Sequence, residues 1–296
     1  MKPPPFEYFV PETIADALDL LGQWDGDARI LAGGQSLLPL LNFRMIRPGA
    51  LIDINGISQL SYLNYFDGTV AIGAGSRHAQ VMASGEVKQA CPLLNEALSY
   101  LGHPAIRNRG TIGGSIAHAD PSAELVIVAA ALNAELVLSS SVGQRTLRAE
   151  EFFVTYLTTA LEWNEILTEV RFPALGPRTG WSFQEVNRRH GDFAVAAVAA
   201  AVTMDENNRC QNVRVAVGGV GATPVRAHAV EDAITNAEPT EALFAEVVQL
   251  VIGEIDPSDD IHASAEYRSG IAAVLTKRAL RTAVERAAVS ADMRER

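Results

Sequence analysis

Two glycine pairs set the terms for any fold of this chain. The first, Gly33-Gly34, interrupts an apolar stretch, "ARILAGGQSLLPLL" (28–41). The second, Gly113-Gly114, lies in "IRNRGTIGGSIAHADPSAELVIVAAALNAELVLSS" (106–140). In the first stretch the short run Ile30-Leu31-Ala32 has the character of a buried strand, while Leu37, Leu38, Leu40 and Leu41 recur at helical spacing. The glycines therefore fall where a strand ends and a helix starts. Glycine at such a junction allows positive φ, and without Cβ the backbone N–H groups can approach a ligand closely. Successive N–H groups pointing one way form an anion nest, and a helix starting just after adds the positive end of its dipole. Phosphate is the natural guest of such a feature, with a plain tight turn as the alternative.

The second pair repeats the chemistry of the first. It is flanked by the hydroxyls of Thr111 and Ser115 and followed by Asp120, ahead of a helix expected to begin near Ser122. Hydroxyls beside backbone N–H groups donate further hydrogen bonds to phosphate oxygens, and an aspartate nearby can accept from sugar or ribityl hydroxyls. Both read as loops, and two such loops can hold one pyrophosphate between them. Neither is a Walker A sequence, and no GxGxxG opens a helix, so the P-loop and Rossmann readings fail on their own motifs. "GAGSRH" (73–78) has only the first two glycines of such a motif and is set aside.

Composition closes off other classes. A formal net charge of -11 disfavours a nucleic-acid surface, and the densest basic patch, "VNRRHGD", is too short to reverse that. No apolar run reaches spanning length, and "MKPPPFEYF" has no apolar signal core, which predicts a cytoplasmic protein without a transmembrane segment. Cys91 and Cys210 belong to no CxxC pair, so the chain cannot assemble a zinc ribbon or an iron–sulfur cluster by itself. The histidines form no HExxH or other close ligand spacing, so no metal site is expected.

Along the chain, "PETIADALDLLG" reads as a helix capped by Thr13 and stopped at Gly22, and "ARILAGG" and "LIDI" as short buried strands. Asp67-Gly68 marks a hairpin turn. Helical patterns follow around "HAQVMAS" and "PLLNEALSYLG". The Pro/Gly-rich "ALGPRTG" after "ILTEVRFP" reads as a linker. It divides the chain into an N-terminal domain, 1–175, and a C-terminal domain, 176–290. Beyond it, "GWSFQEVNRRHGDFAVAAVAAAVTMD" and "CQNVRVAVGGVGATPVRA" look like strands of a second sheet, although the alanine-rich part also suits a helix. Residues 228 to 290 read as helices.

With both glycine segments in view, the chain resembles the FAD-binding medium subunit of the molybdenum-containing hydroxylases, the group of carbon monoxide dehydrogenase and xanthine dehydrogenase. The stretches that carry the resemblance are "LAGGQSLLPLL", "RPGALIDI", "IRNRGTIGGSIAHADPSAEL", "NEILTEVRFP", "RRHGDFAVAAVAAAV" and "AEYRSGIAAVLTKRAL", in the family's order over nearly the whole chain. The resemblance implies an α+β fold. It consists of a vanillyl-alcohol-oxidase-type FAD-binding domain of two α/β subdomains, about 1–56 and 57–175, plus a C-terminal α/β domain. It also implies site residues. Ala32, Gly33, Gly34, Gln35, Ser36 and Leu37, with Thr111, Ile112, Gly113, Gly114 and Ser115, wrap the diphosphate of a non-covalent FAD. Asp120 bonds the hydroxylated chain of the cofactor, Leu167 lies beside the adenine or offers its backbone, and Phe193 of "GDFA" lies near the isoalloxazine, where some relatives carry tyrosine.

The chain departs from the family pattern at Phe193, which lacks the hydroxyl, and at Gln184 and Glu185, where relatives commonly place a cofactor-binding lysine. It departs again at Val126, where a proline is usual. The function implied is electron relay. A large molybdopterin subunit hydroxylates substrate, a small subunit with [2Fe–2S] clusters passes electrons on, and this chain's flavin hands them to an external acceptor, the whole being a dimer of heterotrimers. No residue of this chain is then a general acid or base. The alternatives are a self-sufficient FAD-dependent oxidoreductase, with His190 and Tyr156 as conceivable acid–base groups, and a scaffold that has lost its flavin.

Overall fold

The structure is a computed structural model and describes residues 2–292. Its first layer is a parallel sheet of Glu7–Phe9, Ala50–Asp53 and Ala28–Leu31, with Ala50–Asp53 in the centre. Parallel neighbours need a crossover: the short helix Leu37–Asn42 lies in the one from Ala28–Leu31 to Ala50–Asp53, while the helix Ile14–Gln23 links the two edge strands. Thr13 caps that helix by accepting from the Asp16 N–H at 3.1 Å, as its sequence predicts. The helix runs through Gly22 rather than stopping there, because the Trp24 N–H still bonds back to the Leu20 and Leu21 carbonyls. The chain turns only at Asp25 and Gly26, both at positive φ.

The second sheet is antiparallel, in the order Leu63–Phe66, Thr69–Gly73, Ile166–Pro173, Glu135–Ser140, Gly143–Arg148. Its first hairpin turns at Asp67 (φ 46°) and Gly68 (φ 72°), the pair of positive values that a two-residue primed turn requires. The helix Glu124–Leu132 is buried along its whole length. It packs against Ile166–Pro173 on one side and against Ala196–Met204 and Cys210–Gly218 of the third sheet on another. That placement explains why "LVIVAAAL" has no polar face.

The third sheet is an antiparallel meander of Thr179–Val186, Ala196–Met204, Cys210–Gly218 and Val225–Arg226. It settles the alanine-rich run as a strand. Ala197, Ala199 and Ala201 face the core shared with the second sheet, while Ala196, Val198, Ala200 and Val202 face the helices beyond. A strand buried on both faces needs no alternation, and small side chains let the helix Ala265–Asp292 lie close upon it. With His228–Ile234 and Glu241–Glu254, the region beyond 228 is helical, as expected.

Gly113-Gly114 lies inside a short helix, Ile112–His118, and the next helix begins at Glu124 with Ala123 as its cap. The second glycine pair is therefore not a loop between a strand and a helix. The whole is the mixed α+β arrangement expected, with two α/β layers followed by a C-terminal sheet covered by helices. No helix among the described residues is long and apolar enough to cross a membrane.

Candidate functional site

A cleft of about 510 Å³ opens where the three layers meet. One wall is the turn after strand Ala28–Leu31, and its floor includes Ala74 at the end of Thr69–Gly73. The opposite wall is the helix Ile112–His118, and the mouth is closed by Gly191, Asp192 and Phe193 from the loop that precedes Ala196–Met204.

In the first glycine segment only Gly34 has positive φ (+69°). Gly33 is needed for space, since a Cβ there would lie 2.4 Å from the Arg109 carbonyl oxygen and 2.7 Å from the Gly110 Cα. That close approach joins the two glycine segments. The N–H groups of Gly33, Gly34, Gln35, Ser36 and Leu37 find no acceptor among the described residues, and all of these residues line the cleft. Gln35 steadies the turn by donating from Nε2 to the Gly33 carbonyl at 3.0 Å. A run of unsatisfied amides on a cavity wall is a nest for an anion.

The second segment has no such amides to offer. Ile112 N–H donates to the Ser76 carbonyl, Gly113 N–H to Ala74, and Ser115 N–H to Thr111, while Gly114 N–H donates to Thr111 Oγ1 at 3.0 Å. Its glycines serve approach instead. A Cβ on Gly113 would meet Ala74 Cβ at 2.4 Å, and one on Gly114 would meet Thr111 Oγ1 at 2.8 Å with Ala32 Cβ next at 3.7 Å. What this wall presents to the cleft is a bare backbone with the hydroxyls of Thr111 and Ser115.

The structure gathers nearly all the residues singled out in the sequence. Ala32 through Leu37, Thr111, Gly113, Gly114, Ser115, Leu167 and Phe193 line the one cleft. Ile112 does not; it is fully buried in the core beneath. Asp120 does not either. Its Oδ1 accepts from the Ser122 N–H at 2.9 Å, and it lines a neighbouring cleft of about 810 Å³ that meets the first at Gly191, Asp192 and Phe193. Tyr156 lines that neighbouring cleft as well, and His190 is exposed on the loop.

Two functional candidates escaped the sequence reading. Glu124, not Asp120, offers a carboxyl to the cleft. It is 4% exposed, and burial pushes it up to about 8, with Glu185 and Asp120 reinforcing the shift, so at neutral pH it is a neutral acid able to donate as well as accept. Its signal was the "AEL" that opens an apolar helix. The other is His78, inside the "GAGSRH" set aside for lacking a third glycine; its neighbour Ala74 lines the cleft too. Glu185 stands half-buried near Glu124, is pushed up to about 7 by burial, and accepts from Asn187 at 2.6 Å. A carboxyl thus stands where the resemblance leads one to expect a lysine.

A cleft with free amides on one wall and hydroxyls on the other offers the donors of an anion-binding site without a P-loop or a GxGxxG helix. Residues 4–175 match the model of the FAD binding domain in molybdopterin dehydrogenase, and residues 181–283 match that of the CO dehydrogenase flavoprotein C-terminal domain. The chain belongs to the FAD-binding medium subunits of the molybdenum-containing hydroxylases and is an oxidoreductase subunit. It is 41% identical over 287 residues, 97% of each chain, to the 6-hydroxypseudooxynicotine dehydrogenase complex subunit alpha of Paenarthrobacter nicotinovorans. A chain of carbon monoxide dehydrogenase from Hydrogenophaga pseudoflava superposes with a TM-score of 0.94 at 37% identity, covering 97% of this chain and 99% of that one. A chain of quinoline 2-oxidoreductase from Pseudomonas putida 86 superposes at 0.92 with 36% identity, over 97% and 99%.

Proposed function

We propose that the chain relays electrons from the [2Fe–2S] clusters of a small partner subunit, through FAD held in the 510 Å³ cleft, to an external acceptor. A large molybdopterin subunit carries the hydroxylation, and the assembly is a cytoplasmic dimer of heterotrimers. The observation that carries the reading is the row of unsatisfied amides from Gly33 to Leu37 facing hydroxyls across a glycine-lined gap. That donor set suits a diphosphate.

In this reading Ala32 to Leu37 hold the diphosphate from one side, and Thr111, Gly113, Gly114 and Ser115 hold it from the other. Glu124 bonds the hydroxylated chain in place of Asp120, Leu167 contacts the adenine end, and Phe193 shields the ring system. Ile112 supports the wall from below. The flavin, when bound, supplies the redox chemistry; the residues of the chain bind it, orient it and exclude water. No side chain here is required to move a proton to or from a substrate.

Removal of FAD from the purified complex tests the relay. The flavin-free complex is expected to retain reduction of its iron–sulfur clusters by substrate, followed by their visible absorbance, and to lose reduction of the external acceptor until FAD is restored. Acceptor reduction at an undiminished rate without flavin overturns the proposal. Substrate oxidation by the isolated chain with FAD favours the self-sufficient enzyme instead.

A further inference from the structure

The wall opposite the amide nest has spent its backbone donors, which raises the question of what orients its hydroxyls. His78 lies beneath it, 2% exposed, at the start of the helix His78–Ala83. Its Nε2 is 2.8 Å from the Thr111 carbonyl oxygen and 3.2 Å from Ser115 Oγ. Its Nδ1 is buried and has no partner among the described residues. The chain of Gly110 covers that side so closely that a Cβ there would lie 2.7 Å from Nδ1.

These contacts fix the placement of a proton. A carbonyl oxygen only accepts, so Nε2 must carry the hydrogen it shares with Thr111. The ring is neutral, because burial holds it down to about 4, with Arg77 and Arg107 adding to the effect against the Thr111 hydrogen bond. A neutral imidazole with hydrogen on Nε2 leaves Nδ1 bare, which agrees with the absence of any acceptor beside it. Toward Ser115 the same Nε2–H is a donor, so Ser115 Oγ accepts and its own hydrogen is turned away from the ring. Ser115 faces the cleft on its other side.

We propose that His78 is a positioning residue for the cofactor's diphosphate: by donating from Nε2 to both Thr111 O and Ser115 Oγ, it commits the Ser115 hydroxyl to donate into the cleft. The inference rests on the reading that the cleft holds a diphosphate. His78 borders the cleft from beneath this wall and acts through Ser115 and through the Thr111 carbonyl. Without it, the Ser115 hydroxyl is free to spend its hydrogen on the Thr111 carbonyl and to present only lone pairs to an anion.

The test is a double-mutant cycle on the full chain, read by FAD affinity and by the 31P chemical shifts of bound FAD. Ser115→Ala and His78→Met are each expected to weaken FAD about tenfold, the effect of one hydrogen bond to a charged group. The double variant is expected to be no weaker than the poorer single one, because both remove the same donor. His78→Gln, whose Nε2 can take the place of the imidazole nitrogen, is expected to restore affinity to within about threefold and the 31P shift to its wild-type position. Additive losses in the cycle, or an unchanged 31P shift in His78→Met, overturn the proposal. Should His78→Met fail to fold, His78→Asn, with a side chain too short to reach Ser115, takes its place in the same cycle. Failure of the underlying reading looks different: wild-type protein then binds riboflavin as tightly as FAD, with no contribution from the diphosphate.

Discussion

In the first glycine segment the amides of Gly33 to Leu37 find no acceptor among the described residues, whereas in the second every amide from Ile112 to Ser115 is already bonded to Ser76, Ala74 or Thr111. The two walls of one cleft thus contribute opposite things. The first brings donors and leaves an open, unsatisfied backbone, which the proposed diphosphate would complete. The second is a finished helix, capped by Thr111 and seated on Ala74, that brings proximity and two hydroxyls. A glycine pair in a sequence signals that Cβ is unwelcome; it does not say whether the reason is a backbone angle, a packing contact or a ligand. The first reason applies at Gly34 and the second at Gly33, Gly113 and Gly114.

The largest effect is expected where the two walls meet. Gly33→Val drives its side chain into backbone atoms of Arg109 and Gly110, which cannot swing aside as a side-chain tip can. Overpacking of this kind costs about 1–3 kcal/mol, and here it also parts the two walls. FAD binding is expected to be lost below detection, with a lowered melting temperature. Gly34→Ala is the comparator. Its φ of +69° makes any side chain strained by about 1–2 kcal/mol, but the nearest atoms belong to the flexible Leu38 side chain. That variant is expected to fold and to bind FAD weakly. Equal flavin occupancy in Gly33→Val and wild type would remove the contact between the walls from the account.

A smaller loss is expected at Gly114. Its added methyl meets Thr111 Oγ1 at 2.8 Å, which is a side-chain atom and can rotate. Rotation breaks the bond from Gly114 N–H and with it the cap of the helix, a loss of about 1 kcal/mol. The methyl also comes within 3.7 Å of Ala32 Cβ on the first wall and narrows the cleft there. Gly114→Ala is expected to lower the melting temperature by a few degrees and to weaken FAD about tenfold, measured by fluorescence titration. Affinity lost as completely as in Gly33→Val would mean that the second wall also supplies donors when the cofactor is present, and the contrast between the walls would fail.

Much of this was legible before any coordinates, and the gaps have physical reasons. The hairpin at Asp67-Gly68 and the Thr13 cap were readable because turn and cap chemistry is local. The first glycine segment was readable because a strand, a break and a helix follow one another within a few residues. The second was misread as a loop because Thr111 caps a helix whose next residues include two poor helix formers, Gly113 and Gly114; their helicity comes from seating on Ala74, a contact between residues distant in sequence. Asp120 was singled out and Glu124 passed over for the same kind of reason. Both carboxylates follow the glycines closely, and only the turn at Ser122, which Asp120 itself caps, decides which of them faces the cleft. His78 carried no signal at all in the sequence, since a single histidine before a helix is indistinguishable from a surface residue until Gly110 and Thr111 close over it.

The smallest effect is expected at Phe193, which belongs to neither wall. It is 56% exposed, sits on the loop before strand Ala196–Met204, and lines both the 510 Å³ cleft and the 810 Å³ cleft beyond. If the amides of the first wall and the hydroxyls of the second supply most of the affinity, an aromatic that is half in solvent adds little, about 1 kcal/mol by stacking, or roughly fivefold in affinity. Phe193→Ala should therefore weaken FAD less than Gly114→Ala does. Its larger consequence is for access, because loss of the ring joins the two clefts and opens the flavin edge to solutes. Collisional quenching of flavin fluorescence by iodide is expected to rise in Phe193→Ala and to stay at the wild-type level in Phe193→Tyr, which keeps the ring. An affinity loss in Phe193→Ala that exceeds the one in Gly114→Ala, with quenching unchanged, would place the binding energy at the mouth of the cleft and undo the division of labour drawn between its walls.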